Sequence, residues 1–251
     1  MSHPQYKCQV QGNESFIDNM FVIFSQGYLI NAVTNRVKEL GKDNKDNKLK
    51  LMELGCYNGR VHHFLVQQMV VTNYTGVDVR QDYIDHSVVA RRKDATLLCE
   101  DVTQGLTVPD NSQDMIVSSE VLEHIDAEKL EGVLRTLYNK LVPGGRVVLG
   151  FPMNTKDKEF HNLEDEKGLG HVNFPVHEDF LDMCKSIGFV EFKTDPGYTI
   201  RSSYRLPKEV RSDPTYVKIK DKLGSQIARA IYLTLSDDQV GGRFYTLDKP
   251  A

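Results

Sequence analysis

The stretch 49–78 constrains the fold more than any other part of the chain. Leu49, Leu51, Met52 and Leu54 make a short apolar run that stops at Gly55, which reads as a buried strand running into a tight turn. After Gly59 the period changes, and Val61, Phe64, Leu65 and Met69 fall at helical spacing. A second apolar strand over 74–77 then ends in Asp78. Strand, glycine turn, helix, strand and acid form the first half of a nucleotide-binding βαβ unit. In such a unit glycines let the backbone approach a ligand, and the acid accepts hydrogen bonds from ribose hydroxyls. The turn is not Gly-x-Gly-x-x-Gly. Gly55 and Gly59 lie four apart with Glu53 inside the strand end, which lacks a close pyrophosphate cradle and leaves room for a ligand without phosphate.

These residues resemble the class I S-adenosylmethionine-dependent methyltransferases. In that family an acid-x-Gly-x-Gly-x-Gly turn wraps the methionine end of the cofactor, and an acid closing the second strand holds the ribose. Glu53, Gly55 and Gly59 match the turn, with Cys56 and Tyr57 between the glycines, and Asp78 followed by Val79 matches the ribose acid. Tyr57 departs from the pattern, standing where the middle glycine is usual, and a side chain there is placed to narrow or cover the methionine pocket. The resemblance implies S-adenosyl-L-methionine as cofactor. It also implies an α/β fold: a doubly wound, mostly parallel seven-stranded sheet with helices on both faces.

The remaining chain can be laid onto that frame. Phe16 to Leu40 carries apolar residues that fit two short helices broken near Gly27, and 41–48 is a charged, solvated connector. Tyr83, Ile84, Val88 and Val89 suggest a second core helix, with Arg91, Arg92 and Lys93 in a last turn where cations suit the helix dipole. Strand 95–99 is closed by Glu100 and Asp101. In the resembled family an acid here receives the adenine amino group, so Asp101, with Val102, is the adenine candidate. Strand 115–117 leads into Ser118, and Asp126 is expected to cap a helix whose face is Leu130, Val133, Leu134, Leu137 and Leu141. Pro143-Gly144-Gly145 turns into strand 147–151, 152–172 is a long polar loop, 176–187 is a helix stopped by Gly188, and 189–194 is a strand. The reading is one domain over 1–251: a helical arm (1–48), a cofactor-binding core (49–199), a basic, partly helical insertion (200–240) and a last strand (241–251).

The chemistry concentrates past the fourth strand, because ligands in open α/β sheets sit outside the carboxyl ends of strands. Glu120, Glu123 and His124 form Glu-x-x-Glu-His there, and His171 lies in the later loop. Two carboxylates and two imidazoles can hold a divalent cation such as Mg or Mn against a hydroxylated substrate and acidify its hydroxyl. Glu120, His124 and His171 are therefore the catalytic candidates, and Glu120, Glu123, His124 and His171 the metal candidates. The alternative is that Glu123 and His124 orient the loop while Glu120 lines the pocket. The set resembles RNA 3′-end 2′-O-methyltransferases position for position. It also resembles ubiquinone-biosynthesis-type small-molecule O-methyltransferases. His62 and His63 read as surface or packing residues, and His161 and His177 as loop histidines in solvent.

Composition limits the alternatives. With 251 residues and a formal net charge of −4, the chain suits one well-buried core and disfavours indiscriminate nucleic-acid binding. Arg201, Arg205, Lys208 and Arg211 in the insertion nevertheless offer RNA a local grip. Cys8, Cys56, Cys99 and Cys184 are scattered without a Cys-x-x-Cys pair, and no signal segment or long apolar run is present. The expectation is a cytoplasmic monomer or homodimer with free thiols and no membrane span. No Asn/Asp-Pro-Pro-Tyr/Phe and no Pro-Cys follows the fourth strand, which disfavours transfer to base amines or to cytosine C5. The leading expectation is methyl transfer to a small-molecule hydroxyl. The competitors are an RNA 2′-hydroxyl, a non-catalytic cofactor-binding subunit, and a nicotinamide dehydrogenase, the last opposed by the missing Gly-x-Gly-x-x-Gly.

Overall fold

A computed structural model describes residues 16–44, 47–70, 72–157, 159–164, 170–196, 212–223 and 242–251. Helix α1 (Phe16–Glu39) is followed by a two-residue strand β1 (Asp43–Asn44), β2 (Asn47–Leu54), α2 (Arg60–Gln67), β3 (Thr72–Asp78), α3 (Gln81–Asp85) and β4 (Ala95–Cys99). Then come β5 (Gln113–Ser119), α4 (Ala127–Lys140), β6 (Leu141–Pro152), α5 (His177–Ile187), β7 (Glu191–Pro196), α6 (Pro214–Leu223) and β8 (Gly242–Asp248). The strands line up as β4-β3-β2-β5-β6-β8-β7, with β1 folded back antiparallel on the start of β2. Neighbours from β4 to β6 are parallel, and β8 runs antiparallel to both β6 and β7. This is the expected mostly parallel seven-stranded α/β sheet, clad by helices on both faces.

Both faces are apolar because the central strands are buried on both sides. The alternate residues Met52, Leu54, Ile116, Val147 and Leu149 meet Leu130, Val133, Leu134 and Leu137 of α4 and Phe180 and Cys184 of α5. Leu49, Leu51, Met115 and Val117 meet Val61 and Leu65 of α2 and Leu29, Ile30, Val33 and Val37 of α1 on the other face. Each such side chain stabilises the fold by about 1.5–3 kcal/mol through burial alone. The chain leaves β2 toward β3 and leaves β5 toward β6, so the sheet order reverses between β2 and β5. That reversal opens a crevice at the strands' carboxyl ends, which brings the turn after β2 and the segment after β5 together.

Local expectations differ from the structure at several points; the connector 41–48 holds β1 and the start of β2, and Pro143-Gly144-Gly145 lies within β6. Gly27 does not break the first helix: α1 is continuous from Phe16 to Glu39, because a lone glycine costs only about 1 kcal/mol while the apolar face beyond it packs on the sheet. The helix after β3 ends at Asp85, so Arg91, Arg92 and Lys93 lie in turns, where Arg92 grips Asp94 through two hydrogen bonds of 2.9 and 2.8 Å. Asp126 precedes α4 without a side-chain cap bond and pairs with Lys129 at 2.8 Å instead. Helix α6 is the described part of the insertion; the cluster 201–211 and the helical stretch expected beyond 223 lie outside the described residues. Among the described residues no helix is long and apolar enough to cross a membrane.

Candidate functional site

The turn after β2 is held to β3 by its own backbone. Gly55 N and Cys56 N both donate to Val77 O, at 2.8 and 3.0 Å. Gly55 (φ +71°) and Gly59 (φ +80°) take left-handed conformations that favour glycine. The space their side chains would fill is occupied by the protein. A Cβ on Gly55 would lie 2.2 Å from Val121 Cγ2, and one on Gly59 2.4 Å from Val89 Cγ2. The glycines thus let the β5 end and the 87–89 turn close against the loop.

Tyr57 also has positive φ, +51°, a strained conformation for a residue with a Cβ. Its amide donates to Asp78 Oδ2 at 2.9 Å, and Arg80 N donates to Asp78 Oδ1 at 3.0 Å. The Tyr57 ring packs edge-on against Tyr83, 4.3 Å between centroids, with the Arg60 guanidinium 5.2 Å from its centre. It therefore lies against the start of α3, on the side of Asp78. Burial raises the Asp78 pKa, and the two amide bonds and Arg80 oppose that rise. Asp78→Ala strips the acceptor from two amides, one of them holding a strained residue. It is expected to lower stability by about 2–4 kcal/mol, as read by urea unfolding.

Glu53, at the end of β2, is only 6% exposed. Burial, the dominant cause, pushes its carboxyl up to about 8; a hydrogen bond from Tyr74 works against the shift and the charge of Asp78 adds to it. Cys56 is buried beside them, and burial raises its thiol so that it stays neutral. On the neighbouring strand, Glu100 N donates to Asp78 O at 2.9 Å, which sets Asp101 one strand over from the ribose candidate. Asp101 Oδ1 accepts from Thr103 N at 2.9 Å, capping a short 3-10 turn (Val102–Gln104) whose Val102 is in the core. Val79 is exposed at the crevice edge. Ser118 spends its hydroxyl on Leu54 O, 3.0 Å away, tying β5 to β2.

Past β5, Glu120 takes φ +58°, with its amide bonded to Gly150 O at 2.9 Å. A one-turn 3-10 helix (Leu122–His124) follows. The loop 170–176 is fastened to it: Val172 N and Asn173 N both donate to Glu123 O, at 2.9 and 3.2 Å. His124 Nδ1 lies 3.0 Å from Gly170 O, and a carbonyl only accepts, so Nδ1 carries the proton and Nε2 is the lone-pair nitrogen of the neutral ring. These ties gather one donor atom each from Glu123, His124 and His171 within 4.8 Å of one another. Glu123 Oε1 is 3.9 Å from His124 Nε2 and 4.0 Å from His171 Nε2, and the two imidazoles meet edge-on at 4.9 Å. Glu123 is fully buried and His171 nearly so. Glu120, the fourth residue of the expected set, is not part of this gathering.

Sequence reasoning missed several neighbours. His161, expected in solvent, is buried and stacked on Phe174 at 4.9 Å, and Phe174 meets His171 edge-on. His177 reaches the Tyr245 hydroxyl at 2.9 Å. His62, expected as a surface or packing residue, is packed and fully buried, and Tyr74 shows in the sequence only as the start of a strand. A strand register would have exposed Tyr74, because β2 and β3 pair with Leu51 opposite Tyr74 and Glu53 opposite Gly76.

Known proteins extend this picture. The family model described as a methyltransferase domain matches residues 25–191. Phosphoethanolamine N-methyltransferase 1 of Triticum aestivum is 26% identical over 151 residues, which is 53% of this chain but 28% of that protein. The chain thus spans little more than a quarter of the length of that curated relative. An S-adenosylmethionine-dependent methyltransferase from Mesorhizobium loti superposes with a TM-score of 0.60 at 15% identity, over 90% of this chain and 98% of that one. Phosphoethanolamine N-methyltransferase 2 of Haemonchus contortus, solved with phosphomonomethylethanolamine and S-adenosylhomocysteine, superposes with a TM-score of 0.59 at 17% identity, over 96% of this chain and 59% of that one. At such identities the structural likeness speaks for the fold.

Proposed function

This chain belongs to the class I S-adenosylmethionine-dependent methyltransferases, and on that premise we propose that it moves the cofactor's methyl group to a hydroxyl oxygen of a small molecule. The observation that carries the reading is the gathering of Glu123, His124 and His171 directly across Val121 from the glycine turn. The residues that would hold the cofactor are 55–59 and Glu53 for its methionine end and ammonium, Asp78 for its ribose hydroxyls, and Asp101 and Val102 for its adenine. The methyl group would then be offered to the segment after β5. The acceptor oxygen attacks that carbon in line as the carbon–sulfur bond breaks, leaving a neutral thioether, and the hydroxyl proton passes to a protein base.

Glu120 and His124 stand at that end of the crevice. His124, its Nδ1 committed to Gly170 O, presents Nε2 as the proton acceptor or as a ligand. Glu123, His124 and His171 are the residues that would hold a divalent cation, and two imidazoles with one carboxylate suit Mn better than Mg. When bound, such an ion supplies acidification of an acceptor hydroxyl. Two of the proteins named above, phosphoethanolamine N-methyltransferases, favour a small acceptor.

The test is methyl-labelled S-adenosylmethionine in a cell extract split into RNA, protein and small-molecule pools. Label in the small-molecule pool, lost in excess chelator and restored by Mn, is the expected result. Nuclease-sensitive label would overturn the small-acceptor reading in favour of an RNA 2′-hydroxyl, and full activity in chelator would remove the ion. His171→Ala is expected to lower kcat at least 100-fold while S-adenosylhomocysteine affinity stays within about twofold. Asp78→Ala should do the reverse to the cofactor, weakening its binding by tenfold or more.

A further inference from the structure

A set of buried polar groups lies beneath the glycine turn, joined to one another and unused by the transfer chemistry. The Tyr74 hydroxyl, on β3, donates to the Glu53 carboxylate on β2. Gly76 makes room for this contact: a Cβ there would sit 2.9 Å from Cys56 Sγ and 3.0 Å from the Tyr74 ring. From α2, the fully buried His62 stacks on that ring, 4.5 Å between centroids and 15° from parallel. The His62 imidazole is itself placed, 3.4 Å from Thr72 Oγ1 and 3.5 Å from Asp94, the carboxylate that Arg92 grips. Asp94 O in turn accepts from Tyr74 N at 3.0 Å. The ring is held by backbone and by stacking, which fixes its hydroxyl oxygen beside Glu53 and the Cys56 thiol.

We propose that Tyr74 is a positioning residue for the amino-acid end of the cofactor: its hydroxyl fixes the Glu53 carboxylate in the orientation that receives the α-ammonium of S-adenosylmethionine. His62 and Asp94 lock the ring that does the fixing. This rests on the cofactor reading above. A bond from a locked donor removes the freedom of the carboxyl before the ligand arrives, and it supports the ionised form in a buried place once the ammonium supplies the counter-charge.

Two probes separate this role from packing. S-adenosylhomocysteine carries the ammonium, and 5′-methylthioadenosine keeps the adenosine and lacks the amino-acid end. Tyr74→Phe is expected to weaken S-adenosylhomocysteine about 5- to 30-fold and to leave 5′-methylthioadenosine within about twofold. Equal losses for both would make Tyr74 a packing residue and overturn the inference, as would no loss for either. If the unaltered protein bound neither probe, the cofactor reading itself would fall, and this inference with it. A second measurement needs no variant. Among the described residues the titratable groups facing Glu53 are Tyr74, Cys56 and Asp78. Calorimetry near pH 7 in two buffers of different ionisation heat should show proton release with S-adenosylhomocysteine and none with 5′-methylthioadenosine. Identical proton counts would sink the proposal.

Discussion

Gly55→Ala is expected to destabilise the protein by about 2–5 kcal/mol, a severe effect for a single methyl group. Two causes add. The backbone at 55 has φ +71°, where a Cβ crowds its own carbonyl, and the new Cβ would sit 2.2 Å from Val121 Cγ2. Val121 is at the start of the segment that carries Glu123 and His124, so it cannot retreat without moving them. Urea unfolding of Gly55→Ala, Val121→Ala and the double variant separates the two causes. Val121→Ala should return the steric part and leave about 1–2 kcal/mol of backbone cost, a coupling visible as non-additivity. Strict additivity would show that the contact does not exist. S-adenosylhomocysteine titration of the same variants reports on the site, because a turn pushed off Val121 should lose cofactor binding even where it stays folded.

Glu53→Gln should have opposite effects on stability and on binding. The carboxyl is raised from an ordinary 4.5 to about 8 by burial. A group whose pKa is higher in the folded state contributes stability below its unfolded value and loses it as pH rises through the folded one. Ligand-free protein should therefore weaken between about pH 4.5 and pH 8 on account of Glu53. Glutamine, neutral and of similar shape, still accepts from the Tyr74 hydroxyl and has no proton to lose. The variant should be the more stable of the two at pH 8, by several kcal/mol at most, with the difference closing toward pH 4.5. S-adenosylhomocysteine affinity at pH 8 should meanwhile fall on the order of 10- to 100-fold, because the ammonium has lost its counter-charge. Thermal unfolding across that pH range, with calorimetry for the ligand, checks both. A pH-independent difference in stability would mean that Glu53 does not titrate in that window.

The two predictions draw on different kinds of information, and the contrast shows how far the sequence reaches. The unit over 49–78 was legible because its signals are local. An apolar run ending at Gly55, a change of period after Gly59 and an acid at 78 correspond to β2, α2 and β3, with Asp78 as the last residue of β3. The doubly wound, mostly parallel sheet was legible only through the resemblance, since periodicity assigns an element's type and says nothing of its neighbours. Local rules misplaced what packing overrides: Gly27 passes inside α1, His161 is buried, and Asp126 leaves its capping position unused. The chain's own residues determined that a strand–turn–helix–strand unit closed by an acid would form, because each of those signals depends on dihedral preference and burial within a few residues. Only the tertiary structure decided that Tyr74 would reach Glu53, that Val121 would fill the space beside Gly55, and that His171 would join Glu123 and His124 while Glu120 stood apart. Those contacts arise from strand register and from a loop fastened to Glu123 O by two amides, interactions between groups far apart in the chain that no local spacing encodes.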